Sequence, residues 1–294
     1  MNKVRRNKAA IVVFLLPAAL LFLTIIIVPI FMSGYYSLLD WDGITKRTFV
    51  GFQNYMELLT SKSAGFPKTI LNALLLAALS VFIQLPLALL ISLALARGIK
   101  GERVFTAIFF VPVLISTVVI GQLWLKMYNP QYGIINSFLT LIGRKEWCRT
   151  WLGDKKTALI SVFIPMLWQY VGYHMLLLYA GIKSISADIR EAACIDGAAA
   201  GQVSRYIIIP MIKPVIRMSV IFAVTGSLKA FDLIYVLTGG GPSHASEVPS
   251  TLMVSMIFGR GRYGLGSAIA EVIIFLCFFF AILIKHLFKT EEDL

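Results

Sequence analysis

Long stretches without a charge alternate with short polar connections along the whole chain. No Asp, Glu, Lys or Arg occurs over 9–39, and the apolar heart of that run closes near Phe31. Three more uncharged runs lie between Lys68 and Arg97, between Arg103 and Lys126, and over 157–182. Two weaker ones follow. The fifth begins after Arg217, is interrupted by Lys229 and Asp232, and ends in Leu237-Thr-Gly-Gly-Gly-Pro242. The sixth runs over 263–284 and contains Glu271. A helix rises about 1.5 Å per residue, so about 20 apolar residues cross the ~30 Å hydrocarbon core of a bilayer. The pattern predicts an all-α integral membrane protein, one domain over 1–294 with six spans at 9–31, 69–96, 104–126, 157–182, 215–238 and 263–285. The first run is longer than the about 7–15 apolar residues of a signal peptide, so it reads as an uncleaved helix. Pro17 and Pro29 are tolerable kinks within it.

Composition agrees with that pattern. The chain is 58% hydrophobic and 14% charged, against about 45–50% and about 25% for soluble domains. A net charge of +12 would suit nucleic acid, but the cations sit in short connections and no basic tract carries interleaved aromatics. Nucleic acid is therefore excluded and membrane orientation preferred. Six spans place both termini on one side. With Lys3, Arg5, Arg6 and Lys8 inside, the connections 97–103 and 183–217 are inside too. The outer loops 32–68 and 126–156 are longer, which leaves the positive density higher inside. Arg144, Lys145, Arg149, Lys155 and Lys156 in the second outer loop run against this orientation, although the first helices often overrule later loops. Trp147 and Trp151 in that loop suit a membrane interface.

Little in the chain supports catalysis. His174, His244 and His286 are scattered without acid–base or metal spacing, and Cys148, Cys194 and Cys277 lie too far apart for a metal or disulfide framework. No G-x-x-x-x-G-K-[ST] occurs, since Gly239 to Gly241 are followed by Pro242 and Ser243. No catalytic or metal-binding residue and no bound cofactor is expected.

The polar segment 184–214 lies between two of the longest apolar blocks. Ser186-Ala-Asp188-Ile-Arg190-Glu191 reads as a helix start with Ser186 as N-cap. Gly197 breaks the pattern, residues 198–206 form a second short helix, and Pro210 and Pro214 prevent one continuous rod. The product is a helix-turn-helix knob at the inner membrane surface. A plain amphipathic connector is the ordinary alternative, and spacing decides between the two. Glu191-Ala192-Ala193, then Gly197, then Ile207 and Ile209-Pro210 resemble the EAA loop of bacterial ABC-importer permeases. Ile209 stands where that signature has Leu. The longer form with Asp196 and Ala198 is similar to the carbohydrate-importer branch typified by maltose and glycerol-phosphate permeases. Phe49-Val-Gly-Phe-Gln-Asn-Tyr55, Phe110-Val-Pro112, Phe231-Asp-Leu-Ile-Tyr-Val-Leu-Thr-Gly-Gly-Gly-Pro242 and Tyr263-Gly-Leu-Gly-Ser-Ala-Ile-Ala270 extend the resemblance over nearly the whole chain.

The resemblance implies a type I ABC-importer permease fold with a cytoplasmic coupling helix. Glu191 would face basic residues of a cytoplasmic ATPase, with Gly197 permitting the turn. Ala192, Ala193 and Ala198 would allow close packing, and Asp196 and Pro210 complete the coupling set. It further implies a second homologous permease subunit in a heterodimer, two ATPase subunits that use the ATP, and an extracytoplasmic solute-binding protein. The substrate would be a carbohydrate, and the chain would sit in a bacterial or archaeal cytoplasmic membrane with both termini cytoplasmic. Polar groups within spans are costly unless they face a cavity or partner. That makes Asn72, Gln84, Gln122, Gln169, Tyr173, His174, Lys229, Asp232, Tyr235 and Glu271 candidates for the substrate path. Gln169, Tyr170, Tyr173 and His174 share part of one helix, a stacking and hydrogen-bonding set suited to sugar, with interhelical hydrogen bonding as the alternative. Lys229 and Asp232 are i,i+3 neighbours that would neutralise each other in a purely structural role. Lys229 and the basic outer loop favour an acidic or phosphorylated saccharide. The competing class is an ion-driven secondary transporter relaying through Lys229, Asp232 and Glu271. It lacks an evident inverted repeat and has no use for an EAA-type loop.

Overall fold

Three prolines in the apolar runs coincide with places where a helix widens. The computed structural model describes residues 8–61 and 65–288, with side chains from residue 12 onward. The basic Lys3, Arg5 and Arg6 and the tail 289–294 lie outside the described residues, as does the side chain of Lys8. The first helix, α1 (8–37), widens into a π turn at Leu23–Ile27, just before Pro29. A second π turn at Ser80–Gln84 precedes Pro86, and a third at Ser204–Ile208 precedes Pro210. A proline ring clashes with the carbonyl four residues earlier and supplies no N–H. Opening one turn to i→i+5 relieves the clash without ending the helix.

Seven more helices precede the fifth span: α2 (Gln53–Thr60), α3 (Phe66–Leu95), α4 (Glu102–Leu114), α5 (Thr117–Met127), α6 (Ile134–Leu141), α7 (Ala158–Lys183) and α8 (Ala187–Ile195). After them come α9 (Ala200–Met211), α10 (Lys213–Leu228), α11 (Asp232–Thr238), α12 (Pro249–Gly259) and α13 (Tyr263–Leu287). Four helices are long and apolar enough to cross a membrane unbroken: 12–37 within α1, α3, α7 and α13. The third and fifth expected spans differ from straight rods. Residues 104–126 fall on α4 and α5, which meet at 96° just after Pro112, where Ile115 turns to an extended conformation. The helix expected over 215–238 stops at Leu228 and restarts at Asp232, and before it α9 and α10 meet at 71° around Ile212. Counting the bent pairs, the described residues hold up to six spans.

By its internal packing the chain divides into two compact units. One joins the N-terminal segment to residues 253–274. There Leu39 and Asp40 pair with Phe49 and Thr48 in a two-stranded hairpin. Buried Asn54 donates to the Ser37 and Leu39 carbonyls at 2.8 and 2.9 Å. Arg262 grips Glu57 through two hydrogen bonds of 2.5 and 2.6 Å, and that bidentate contact holds the Glu57 carboxyl below its ordinary range. The apolar window of α1 buries nothing within the chain, so it needs lipid or another subunit around it.

The other unit comprises 65–252 with the C-terminal part of α13. Leu76, Val162, Leu228 and Ile234 centre one core, and Ala88, Met175, Leu178 and Ile182 centre a second. Small residues bring the helices together, as helix packing in lipid demands. A Cβ on Gly172 would overlap the Phe109 carbonyl oxygen, so α7 and α4 touch backbone to backbone at this point. Gly226 has nothing within 4 Å of the same hypothetical atom. Gly172→Val therefore forces α4 off α7 and costs about 1–3 kcal/mol, the range for overpacking. Thermal unfolding in detergent should show a clear drop for Gly172→Val and little change for Gly226→Ala.

Candidate coupling segment and intramembrane cavity

Residues 184–212 fold as the polar pattern predicts. Ser186 caps α8, its hydroxyl oxygen accepting from the Asp188 N–H at 3.2 Å and placing an acid in the first turn, where the helix dipole favours it. The chain then turns at Gly197, whose φ of +82° lies in the left-handed region that glycine enters without penalty. Space is not the constraint, since nothing lies within 4 Å of a Cβ there. The Ala198 N–H closes the turn onto the Ala193 carbonyl at 3.0 Å, and the Gln202 side-chain oxygen accepts from the Ala199 N–H at 2.7 Å to start α9. The second helix thus runs to Met211, longer than the expected 198–206.

Burial divides this segment into an anchor and a tip. Ala193, Val203 and Ile208 are buried against Ile182, Ile185 and Ile212. Glu191, Ala192, Asp196, Gly197 and Pro210 are exposed, and Ala198 is half-buried. Ile195 is 86% exposed, a large apolar side chain at the summit of an otherwise polar turn. A groove of ≈ 580 Å³ opens beside it, with Glu191 and Cys194 on one wall and Leu93 and Arg97 on the other. An apolar point with one carboxylate beside it is suited to enter a cleft that offers cations.

A clamp missed by sequence reading holds the base of this segment. Glu102, the first residue of α4, accepts from Lys183 Nζ at 2.9 Å and from the Tyr179 hydroxyl. Tyr179 and Lys183 are i,i+4 on the last turn of α7, so they reach one carboxylate together. Left-handed Gly98 and Gly101 turn the chain into α4 so that Glu102 faces them. The signal was present in sequence as a Tyr and a Lys four apart at the end of a span.

The second feature is a cavity of ≈ 470 Å³ inside the unit of 65–252. Its wall includes Gln84, Tyr173, His174, Phe231, Lys229 and Asp232. Gln84 and His174 are buried, and Gln84 Nε2 and His174 Nδ1 have no hydrogen-bond partner among the described residues. Buried polar atoms left so are costly unless something fills them. Tyr173 stands edge-on to His174, with ring centroids 5.3 Å apart. Two helix breaks open onto the same space, Thr117 after the α4–α5 bend and residues 229–231 between α10 and α11.

The charges at the second break do not neutralise each other. Both are exposed, and among the described residues no ion pair joins Lys229 to Asp232. Lys229 caps the C-terminal end of α10 and Asp232 opens α11. Each therefore sits at the helix end whose dipole stabilises its sign.

Other sequence candidates fall elsewhere. Asn72 donates to the carbonyls of Ala245 and Glu247 at 3.1 and 2.8 Å and so holds the 239–248 turn. Gln169 donates to the Thr117 hydroxyl at 3.2 Å behind the cavity wall. Gln122 is exposed on α5 outside the lining. Tyr235 is exposed and stacks on Phe231, with centroids 5.0 Å apart. Glu271 belongs to the other unit, beside Gly34, with one carboxyl oxygen buried and without a partner among the described residues. The glycines at 239–241 form a hydrogen-bonded turn in which Ser246 donates to the Gly241 carbonyl at 2.6 Å.

Comparison with known proteins covers both features. A family model described as binding-protein-dependent transport system inner membrane component matches residues 84–290. The probable ABC transporter permease protein YurN of Bacillus subtilis is 36% identical over 293 residues, 99% of each chain. The trehalose/maltose transport system permease protein MalF of Thermococcus litoralis is 33% identical over 280 residues, 95% of this chain and 93% of that one. In a crystal structure of a bacterial alginate ABC transporter in complex with an alginate pentasaccharide-bound periplasmic protein, one chain matches with TM-score 0.83 at 22% identity. The match covers 97% of this chain and 95% of that chain, a likeness of fold.

If the Glu102 clamp fixes the base of α8, Glu102→Ala loosens it. Backbone amides of 187–195 should then exchange with deuterium severalfold faster than in the parent protein, while those of the buried middle of α7 stay protected. Unchanged exchange in α8 would mean the clamp carries no restraint.

Proposed function

Because the chain belongs to the binding-protein-dependent transport system inner membrane components, a family of membrane transport subunits, we propose that it forms half of the pore of an ATP-driven sugar importer. The observation that carries this reading is the exposed tip of 187–199, where the Glu191-Ala-Ala and Gly197 spacing coincides with a solvent-facing carboxylate and an apolar summit. In this reading a separate ATPase supplies the energy, since the sequence offers no phosphate-binding loop. Two ATPase subunits, a second homologous permease and an extracytoplasmic solute-binding protein complete the assembly. The solute-binding partner is supported by the family's description and by the periplasmic protein bound to the alginate transporter of similar fold. The 187–199 tip and both termini face the cytoplasm.

Saccharide as substrate is supported by the trehalose/maltose relative and by the cavity's chemistry. Tyr173 and Phe231 offer ring faces, while Gln84 and His174 offer unpartnered polar atoms to hydroxyls. The helix ends at Lys229 and Asp232 account for both charges, so a neutral sugar fits without the acidic group that Lys229 first called for.

The path of force follows from α7. Ala158–Lys183 is one unbroken helix that carries Tyr173 and His174 in its middle and runs into α8 at its end. About 13 residues, or roughly 20 Å, separate His174 from the start of α8. Closure of the ATPase dimer would draw the tip toward its counterpart, and α7 would carry the displacement to the cavity wall.

The test is reconstitution of the chain with its ATPase, second permease and solute-binding protein in proteoliposomes. ATP should drive uptake and an ion gradient should not. Glu191→Lys should abolish ATP-driven uptake while thermal unfolding of the chain stays unchanged. Undiminished uptake by that variant, or uptake driven by the gradient alone, would refute the reading.

A further inference from the structure

The loop 128–157 carries five cations, Arg144, Lys145, Arg149, Lys155 and Lys156, against two carboxylates, Glu146 and Asp154. It sits at the end of α7 remote from 187–199. An excess of cations on that face runs against the usual distribution, and the fold supplies a reason for it. The loop is stitched onto the membrane helices. The Tyr128 hydroxyl donates to the Ser161 carbonyl at 2.8 Å, and the hydroxyls of Thr157 and Ser161 donate to the Trp151 carbonyl at 2.7 and 3.2 Å. Trp151 Nε1 in turn donates to Asn136 Oδ1 at 2.8 Å, and Asn136 Nδ2 donates to the carbonyls of Arg149 and Pro130. Asn136 is the buried residue of α6, so this network fixes which way that helix faces.

At about 100° per residue, Ile134, Phe138 and Leu141 stand opposite Asn136 on α6. All three are exposed, Leu141 by 84% and Phe138 by 58%, and Ile142 extends the stripe. Immediately after it, exposed Arg144 lies 5.2 Å over the exposed Trp147 ring, with Lys145 beside them. The helix thus presents an apolar face, an aromatic at its edge and cations around it, while its inward face is committed to the protein. We propose that α6 lies in the bilayer interface with Ile134, Phe138 and Leu141 in the acyl region, and that Arg144 and Lys145 bind anionic phospholipid headgroups.

Three observations favour lipid over a protein partner. The loop joins the outer ends of two membrane-crossing segments, α5 and α7, so the stripe continues a surface already in lipid. The stripe covers one face of a two-turn helix, as an amphipathic interfacial helix does, and is smaller than the patch of a stable protein interface. The surrounding charge has the sign that anionic headgroups select.

The experiment uses the assembled importer with Cys148, Cys194 and Cys277 of this chain replaced by serine. A nitroxide is placed by Phe138→Cys or, separately, by Leu141→Cys. Collision with oxygen and with a neutral nickel chelate is measured in vesicles of phosphatidylcholine with and without phosphatidylglycerol. Both labels should meet oxygen severalfold more often than nickel. Phosphatidylglycerol should raise that ratio, and Arg144→Glu with Lys145→Glu should remove the increase. Labels that meet nickel more than oxygen face water, and labels shielded from both lie under protein. Either result overturns the proposal, and a ratio indifferent to phosphatidylglycerol overturns its headgroup part.

Discussion

In hydrocarbon no water is present to satisfy an N–H or a carbonyl, so a membrane-crossing chain breaks its helices only where protein or a water-filled space replaces the lost bonds. The rest of this structure follows from that constraint. Prolines that need only local relief are absorbed in π turns before Pro29, Pro86 and Pro210. The real interruptions, at the α4–α5 bend and between α10 and α11, both open onto one cavity. The third interruption, the bend between α9 and α10, falls at the edge of the coupling segment. Breaks are tolerated where they have a use.

The same constraint explains the side chains at the breaks. Lys229 and Asp232 are expensive within a span, yet each is matched to the dipole of the helix it terminates. Gln84 and His174 keep unpartnered atoms on the wall of the space the breaks expose. Helix α7 ties this region to the coupling segment. It packs against α4 through the clearance that Gly172 creates, and its last turn is pinned by Glu102. A displacement at one end of so well-packed a helix is felt at the other.

Much of this was legible in sequence because it depends on local chemistry. Charge-free runs coincide with the long apolar helices, although α1 extends to Ser37. Ser186, Gly197 and the paired prolines wrote the coupling segment directly, since caps, left-handed turns and helix stops are decided by neighbours in the chain. The unread parts depend on tertiary partners. Nothing local to Asn72 announces that its amide is spent on the carbonyls of Ala245 and Glu247, or that Lys229 and Asp232 face separate helix ends rather than each other. The interruption of the fifth span, by contrast, was marked in sequence by Lys229 and Asp232, and the helix breaks between Leu228 and Asp232. What sequence did not display is that this break lines a cavity together with Thr117 after the α4–α5 bend.

The central claim is that the broken helices line a water-accessible path whose opening is driven from the 187–199 tip. It is tested most directly by thiol accessibility in the reconstituted importer. Ala230→Cys at the α10–α11 break and Thr117→Cys after the α4–α5 bend would be compared with Ile160→Cys, exposed on the outside of α7. A water-soluble thiol reagent should label the first two at rates that change between nucleotide-free and ATP-bound states, lose that change in Glu191→Lys, and spare the third. Labelling of Ala230→Cys and Thr117→Cys that ignores nucleotide, or that fails altogether, would contradict the account.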